Sequence, residues 1–227
     1  MAKRNTTKLE IIQLGTHLFL EKGYSATAPK LICEAMEIST GNLTYYFPTK
    51  EHLLAVLVHR LCDFQFKIME AEAEEGLSSV MAVCLEIATM AAICEEDEIA
   101  RDFYLAAYSS PLSLGIIREN DTERAKLVFK DYCSHWSHEQ FAEAEILVSG
   151  IEHAILQPAG EAVPLEARIA GAIDVILSIF SVPEELRKTK IERVLSMDYR
   201  RIGRRILKEF KEYVEKANEE AFHALKG

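Results

Sequence analysis

The sequence predicts an all-α protein, with short helices at the N-terminus and longer ones behind them. Three observations carry this expectation. Apolar residues recur at three- and four-residue steps along most of the chain, Gly23, Pro48 and Pro111 punctuate those runs, and no stretch has the period-two alternation and turn dipeptides of a sheet. The 227 residues are 49% hydrophobic and 27% charged, enough to bury one good core or two small ones and too apolar for a disordered chain.

The elements follow in order. Over residues 7–22, Leu9, Ile12, Leu14, Leu18 and Phe19 mark a first helix that Gly23 stops. Thr27 is placed to cap a second, with Pro29 in its first turn, Leu31, Ile32, Ala35 and Met36 as its buried stripe, and an end near Glu37. Ser39 caps a very short helix over residues 39–45, Pro48 breaks it, and Thr49 caps a fourth over about 50–75. Longer helices are expected over residues 77–94, 96–108, 121–134, 137–157 and 165–180, with Ser110-Pro111 an interruption. A last helical stretch runs from Pro183 to near the end, with a break at Met197. There is no repeat and no low-complexity segment.

Charge divides the chain unevenly. The net charge is -10, yet residues 1–50 hold six lysines and arginines against four glutamates, so the acidic excess lies entirely in residues 51–227. An acidic body behind a mildly basic head is expected where only the head meets an anionic partner. The opening MAKRNTTK lacks a signal-peptide core, and runs such as residues 87–94 fall far short of the ~20 residues of a membrane span, so a cytoplasmic protein without a membrane partner is expected. Cys33, Cys62, Cys84, Cys94 and Cys133 are scattered and form no CxxC pair, as for reduced thiols in a core. No GxSxG, P-loop, GxGxxG or HExxH motif is present, so neither an enzyme nor a bound cofactor is expected.

A pair of short helices around a tight turn is the helix-turn-helix arrangement, whose second helix enters the major groove. Here that helix is STGNLTY. With Ile11, Phe19, Gly23, Tyr24, Thr27, Ile32, Ile38, Ser39, Gly41, Leu43, Phe47, Lys50, Glu51, Leu53 and Leu54, the stretch of about residues 8–58 resembles the tetracycline-repressor (TetR) family of bacterial regulators. The resemblance implies a DNA-binding domain over residues 1–50, a connecting fourth helix, and an effector-binding and dimerisation body over residues 51–227. It also implies a dimeric repressor that binds a palindromic operator and leaves it when a small-molecule effector enters the body.

Each matched position has a chemical role in that reading. Gly41 lets backbone approach the DNA closely, while Thr40 and Asn42 offer a hydroxyl and an amide. Tyr45 and Tyr46 reach phosphate or a thymine methyl. Lys50, beside its cap Thr49, forms a phosphate clamp at a helix N-terminus. Ser39, Thr27 and Lys30 complete the expected contacts. Three positions depart from the family pattern: Glu37 stands where the turn usually has glycine, Thr44 where tyrosine is common and Tyr46 where histidine is frequent.

The body is less explicit. Residues 137–157 and 165–180 are rich in small residues and are the expected homodimer helices, or else buried helices of a monomeric core. DFYLAAY and YCSHWSH suggest a pocket lined by Phe103, Tyr104, Tyr108, His135, Trp136 and His138, with Met90 and Cys94 as apolar walls. Cys133, His135 and His138 lack a fourth ligand, so no metal is expected, although a redox- or metal-responsive regulator and a purely helical interaction module stand as alternatives. Arg200, Arg201, Arg204, Arg205, Lys208 and Lys211 read as the solvated face of a C-terminal helix, with Glu209 and Glu212 as partners.

Overall fold

A computed structural model of the chain describes residues 2–74 and 78–225, and among these every regular element is helical. The head comprises α1 (Ala2–Lys22), α2 (Pro29–Ala35) and α3 (Thr40–Tyr46), followed by the long α4 (Lys50–Glu74). The expected end of the fourth helix, at about Glu75, and the expected start of the next, at Leu77, lie outside the described residues. The helix α1 buries Ile11, Leu18 and Phe19 and packs on α4, α6 and α11; Gly15 permits the α1–α4 contact, since a Cβ there would stand 2.2 Å from Leu53 Cδ2. It ends where expected, at Gly23, whose φ of +90° no side chain favours.

Thr27 does not cap α2. Ala28 is the cap residue, and the Thr27 hydroxyl, fully buried, donates instead to Gly23 O at 2.7 Å, which closes the α1–α2 turn. The buried stripe of α2 is also shifted: Ile32 and Cys33 face the core while Leu31 and Ala35 are exposed. The seven-residue helix packs against α1 and α3, so its inward face is chosen by those contacts rather than by its own periodicity. Glu37, which stands where the family usually has glycine, is in the left-handed region at φ 53°. Glu37→Gly is therefore expected to stabilise the head by about 1 kcal/mol, read by chemical denaturation; a lower midpoint would refute the strain.

The body is built on α5 (Ser79–Glu96), which is buried almost all round and packs against α4, α6 (Glu98–Ser109), α8 (His138–Leu156), α9 (Leu165–Ile179), α10 (Glu184–Ser196) and α11 (Tyr199–Ala224). Asp97 separates α5 from α6 and caps the latter, accepting from Ile99 N and Ala100 N at 2.9 Å each. The helix α7 (Pro111–Val128) corrects the expectation: Pro111 starts it rather than interrupting the chain, and it ends before the aromatic loop that includes Cys133 and Trp136. The break at Met197 is present, between α10 and α11. At Gly203 a Cβ would stand 3.1 Å from Thr89 O, so α11 lies close along α5. The cationic face of α11 is tied down more than expected: Arg200 and Arg204 reach Glu96 at 3.0 and 2.7 Å, and Lys211 reaches Glu21 of α1 at 3.1 Å. All five cysteines are free and buried.

Candidate nucleic-acid interface

The short α3 is assembled by local signals. Ser39 is extended (φ -75°, ψ 154°) and its Oγ accepts from Asn42 N at 3.1 Å, satisfying an amide that the first turn leaves open. Leu43 and Phe47 are buried and anchor the helix to α2 and α4. Positions 40, 41, 44 and 45 then share the opposite side, because residues four apart stack on one face. Thr40, Gly41, Thr44 and Tyr45 are all exposed there, with Asn42 exposed beside them. Nothing but Ser39 Oγ, 3.9 Å away, lies near a Cβ placed at Gly41, so close approach from outside is open.

The two tyrosines divide their roles. Tyr45 is 57% exposed, and its ring meets that of Tyr46 edge to face at 5.0 Å. Tyr46 is half-buried against the core. Thr44, which the sequence reading did not include among contact residues, stands on the exposed face one turn after Thr40 and donates to Thr40 O at 3.1 Å; its spacing of four from Thr40 was the available signal. Lys30 is exposed on α2, 3.6 Å from Glu34.

Lys50 is placed differently from the expected clamp. It is half-buried, its ammonium donates to Tyr24 O at 2.8 Å, and Nζ stands 3.8 Å from the centre of the Tyr24 ring. Burial pushes its pKa down, against the opposing pull of Asp102 and Glu51. Its first task is to join α4 to the α1–α2 turn, and any phosphate has to share that ammonium. Thr49 remains exposed, with Oγ1 3.0 Å from His52 Nδ1. Tyr24 completes the cluster: its hydroxyl donates to Glu51 at 3.4 Å, and burial, then Glu51, pushes its pKa up to about 12.

A body residue that the sequence reading did not single out holds this turn. Asp102 on α6 accepts from Ser25 N at 2.7 Å and from the Ser25 hydroxyl, and a Cβ at Gly23 would stand 2.7 Å from its Oδ2. Two residues along the same helix, Tyr104 lines an apolar cavity of about 600 Å³, mouth included, between α4, α5 and α11. Of the residues expected to line a pocket, Met90 and Tyr104 do so; the remaining wall includes Leu61, Phe64, Ile206 and Phe210. Cys94, Phe103 and Tyr108 are core residues instead: Phe103 stacks on Phe210 at 6.1 Å, and the Tyr108 hydroxyl donates to Glu152 at 2.9 Å. His135 and His138 are exposed and Trp136 packs on Phe141 at 5.2 Å; none of the three lines this cavity, because α7 ends before them and they fall on its connection to α8 and on the first residue of α8. The Cys133 thiol donates to Phe180 O at 3.2 Å, and no group of metal-ligating side chains forms among the described residues. No described helix is long and apolar enough to cross a membrane.

Comparison with known proteins agrees with this head. Residues 11–57 match the family model of the bacterial regulatory proteins, tetR family. No curated protein matches the chain. A gamma-butyrolactone receptor (ArpA-like protein) of known structure is 17% identical, over 86% of this chain and 98% of that one, with a TM-score of 0.44. The TetR family protein CprB from S. coelicolor A3(2) is 20% identical, over 85% and 98%, with a TM-score of 0.43. Through residues 11–57 the chain is similar to the bacterial regulatory proteins of the tetR family.

Proposed function

We propose that the chain is a cytoplasmic, homodimeric repressor that binds a palindromic operator through α3 and is released by a small molecule bound in its body. The observation that carries this reading is the face of α3: Thr40, Gly41, Thr44 and Tyr45 turned outward and held by the buried pair Leu43 and Phe47. We divide the chain into a head over residues 1–50 and a body over residues 51–227, with α4 as the connector. Dimerisation through α8 and α9 is supported by their outer faces, where Leu147 and Val175 are 60% and 49% exposed and a Cβ at Gly150 or Gly171 would meet nothing within 4 Å. A dimer sets two recognition helices in successive major grooves about 34–36 Å apart.

The release mechanism follows from where the cavity lies. Its walls come from α4, which enters the head, and from α6, which holds Ser25 through Asp102. A ligand that separates α4 from α5 moves Lys50 and Asp102 relative to each other, and both grip the same turn at Tyr24 and Ser25. A small rotation there changes the spacing of the two heads.

The test is a gel shift with DNA from upstream of the chain's own gene. Thr40→Ala and Tyr45→Ala are each expected to cost about 1–3 kcal/mol against the operator and much less against competitor DNA. Lys30→Ala is expected to weaken binding to all sequences alike and to reduce the salt slope by about one. Equal binding of operator and competitor by the unaltered protein would reject the reading.

A further inference from the structure

A second cavity, of about 340 Å³ with its mouth, lies between α5, α7, α8 and the end of α9, and its chemistry is unlike that of the first. Asp121, Arg124, Glu145 and Glu152 line it together with Phe129 and Phe180, whose rings stack at 4.0 Å. Arg124 is held by Glu86 at 2.8 Å and Asp121 at 3.7 Å, and Glu152 accepts from Tyr108 at 2.9 Å. Glu145 is only 3% exposed and makes no hydrogen bond or ion pair among the described residues, although it lines the cavity. Arg124 Nη1, equally enclosed, also has no hydrogen-bond partner.

One guanidinium cannot balance four carboxylates in a buried space, and the protein on its own meets this by keeping protons on them. Burial, with repulsion from Asp121, pushes the Glu145 carboxyl up to about 8, and burial raises Asp121 to about 6 despite Arg124. An incoming anion would find Arg124 already matched and would be repelled by the surrounding carboxyls. A cation instead takes the place of the proton on Glu145, and two aromatic rings offer a surface for the hydrocarbon that carries it.

We propose that this cavity binds an organic ammonium, with the charged nitrogen on Glu145 and Glu152, its hydrocarbon on Phe129 and Phe180, and an acceptor atom facing Arg124 Nη1. The proposal rests on the ligand-responsive reading above and names the class of effector. The carboxyls are spread around a lined cavity rather than drawn to one point, which suits an organic cation better than a bare metal ion.

Calorimetric titration with 2-phenylethylamine, 2-phenylethanol and phenylacetate tests it, with the fluorescence of Trp136, the chain's single tryptophan, followed in parallel because its ring lies 6.0 Å from that of Phe180. The amine is expected to bind at least about tenfold more tightly than the alcohol, with phenylacetate weakest. Glu145→Gln is expected to remove about tenfold of the amine's affinity and leave the alcohol's unchanged. The proposal is overturned if the alcohol or the carboxylate binds as well as the amine, if none of the three binds, or if Glu145→Gln keeps full affinity. Gel shifts with the same compounds separate the two readings. Operator release by the alcohol as readily as by the amine discards the ammonium site and keeps the ligand response; tight, Glu145-dependent amine binding with unchanged operator affinity does the reverse.

Discussion

Glu145→Gln is expected to stabilise the protein at pH 8 by about 4 kcal/mol and to lessen its loss of stability between pH 6 and pH 8. The folded-state pKa of Glu145 is raised from 4.5 to about 8, so the folded chain holds a proton that the unfolded chain releases. A carboxyl shifted in this direction leaves stability whole below its unfolded value and subtracts from it as pH rises toward the folded value. Asp121, raised from 3.8 to about 6, acts with the same sign over a lower range. The unaltered protein should therefore lose about 2 kcal/mol from this one group between pH 6 and pH 8, a window in which a protein with paired carboxylates would change little. Glutamine fills nearly the same volume, carries no charge and needs no proton, so the variant should lose the part of that decline that comes from Glu145, while Glu152 and Asp121, both raised by burial, keep theirs. Urea denaturation of both proteins at three pH values is the measurement. A variant less stable than its parent at pH 8 would show that Glu145 is ionised and favourably held. Arg124 has the converse place in the cluster. Its removal would strand Glu86 and Asp121, and breaking a buried pair in this way typically costs about 3–5 kcal/mol.

Leu147→Glu combined with Val175→Glu is expected to give a folded monomer that binds the operator at least about a hundredfold more weakly. Both side chains project from the outer faces of α8 and α9 and take no part in the core, so the fold has no need of them. In the proposed dimer they lie at the contact, where two added carboxylates on each protomer would be desolvated opposite their own copies. A lone head keeps one set of contacts and loses the second, so the defect should appear on a full palindrome and vanish on a half-site. Sedimentation gives the oligomeric state, circular dichroism the fold, and a gel shift the affinity. A variant that still sediments as a dimer would move the interface away from α8 and α9, and the operator result would then have no dimer to explain.

The parts of the structure that could be read beforehand are those built from neighbours in sequence. Ser39 capping α3, the stop at Gly23 and the break at Met197 each involve residues within a turn of one another, and each stands where the sequence places it. The misplacements arise where another partner or another role wins over the expected one. Thr27 is drawn to Gly23 O and the core instead of capping α2, Lys50 is drawn to Tyr24 across 26 positions, and Pro111, read as a breaker, is the first residue of a helix. Tyr104 lines a cavity whose position is decided by Phe64 of α4 and Phe210 of α11, and these meet only when those helices pack.

The amino-acid sequence by itself determined that this chain is helical, that it opens with a helix-turn-helix head, and that Thr40, Gly41 and Tyr45 stand on the open side of the reading helix. Helical hydrogen bonds, caps and turn strain are set within a few residues, so a linear pattern records them. The tertiary structure alone decided that Asp102 ties the body to the head, that Lys50 is engaged with Tyr24, and that Glu86, Asp121, Glu145 and Glu152 surround one guanidinium. Desolvation and charge pairing depend on what lies across space, and in this protein those groups come from helices whose order in the chain says nothing of their meeting.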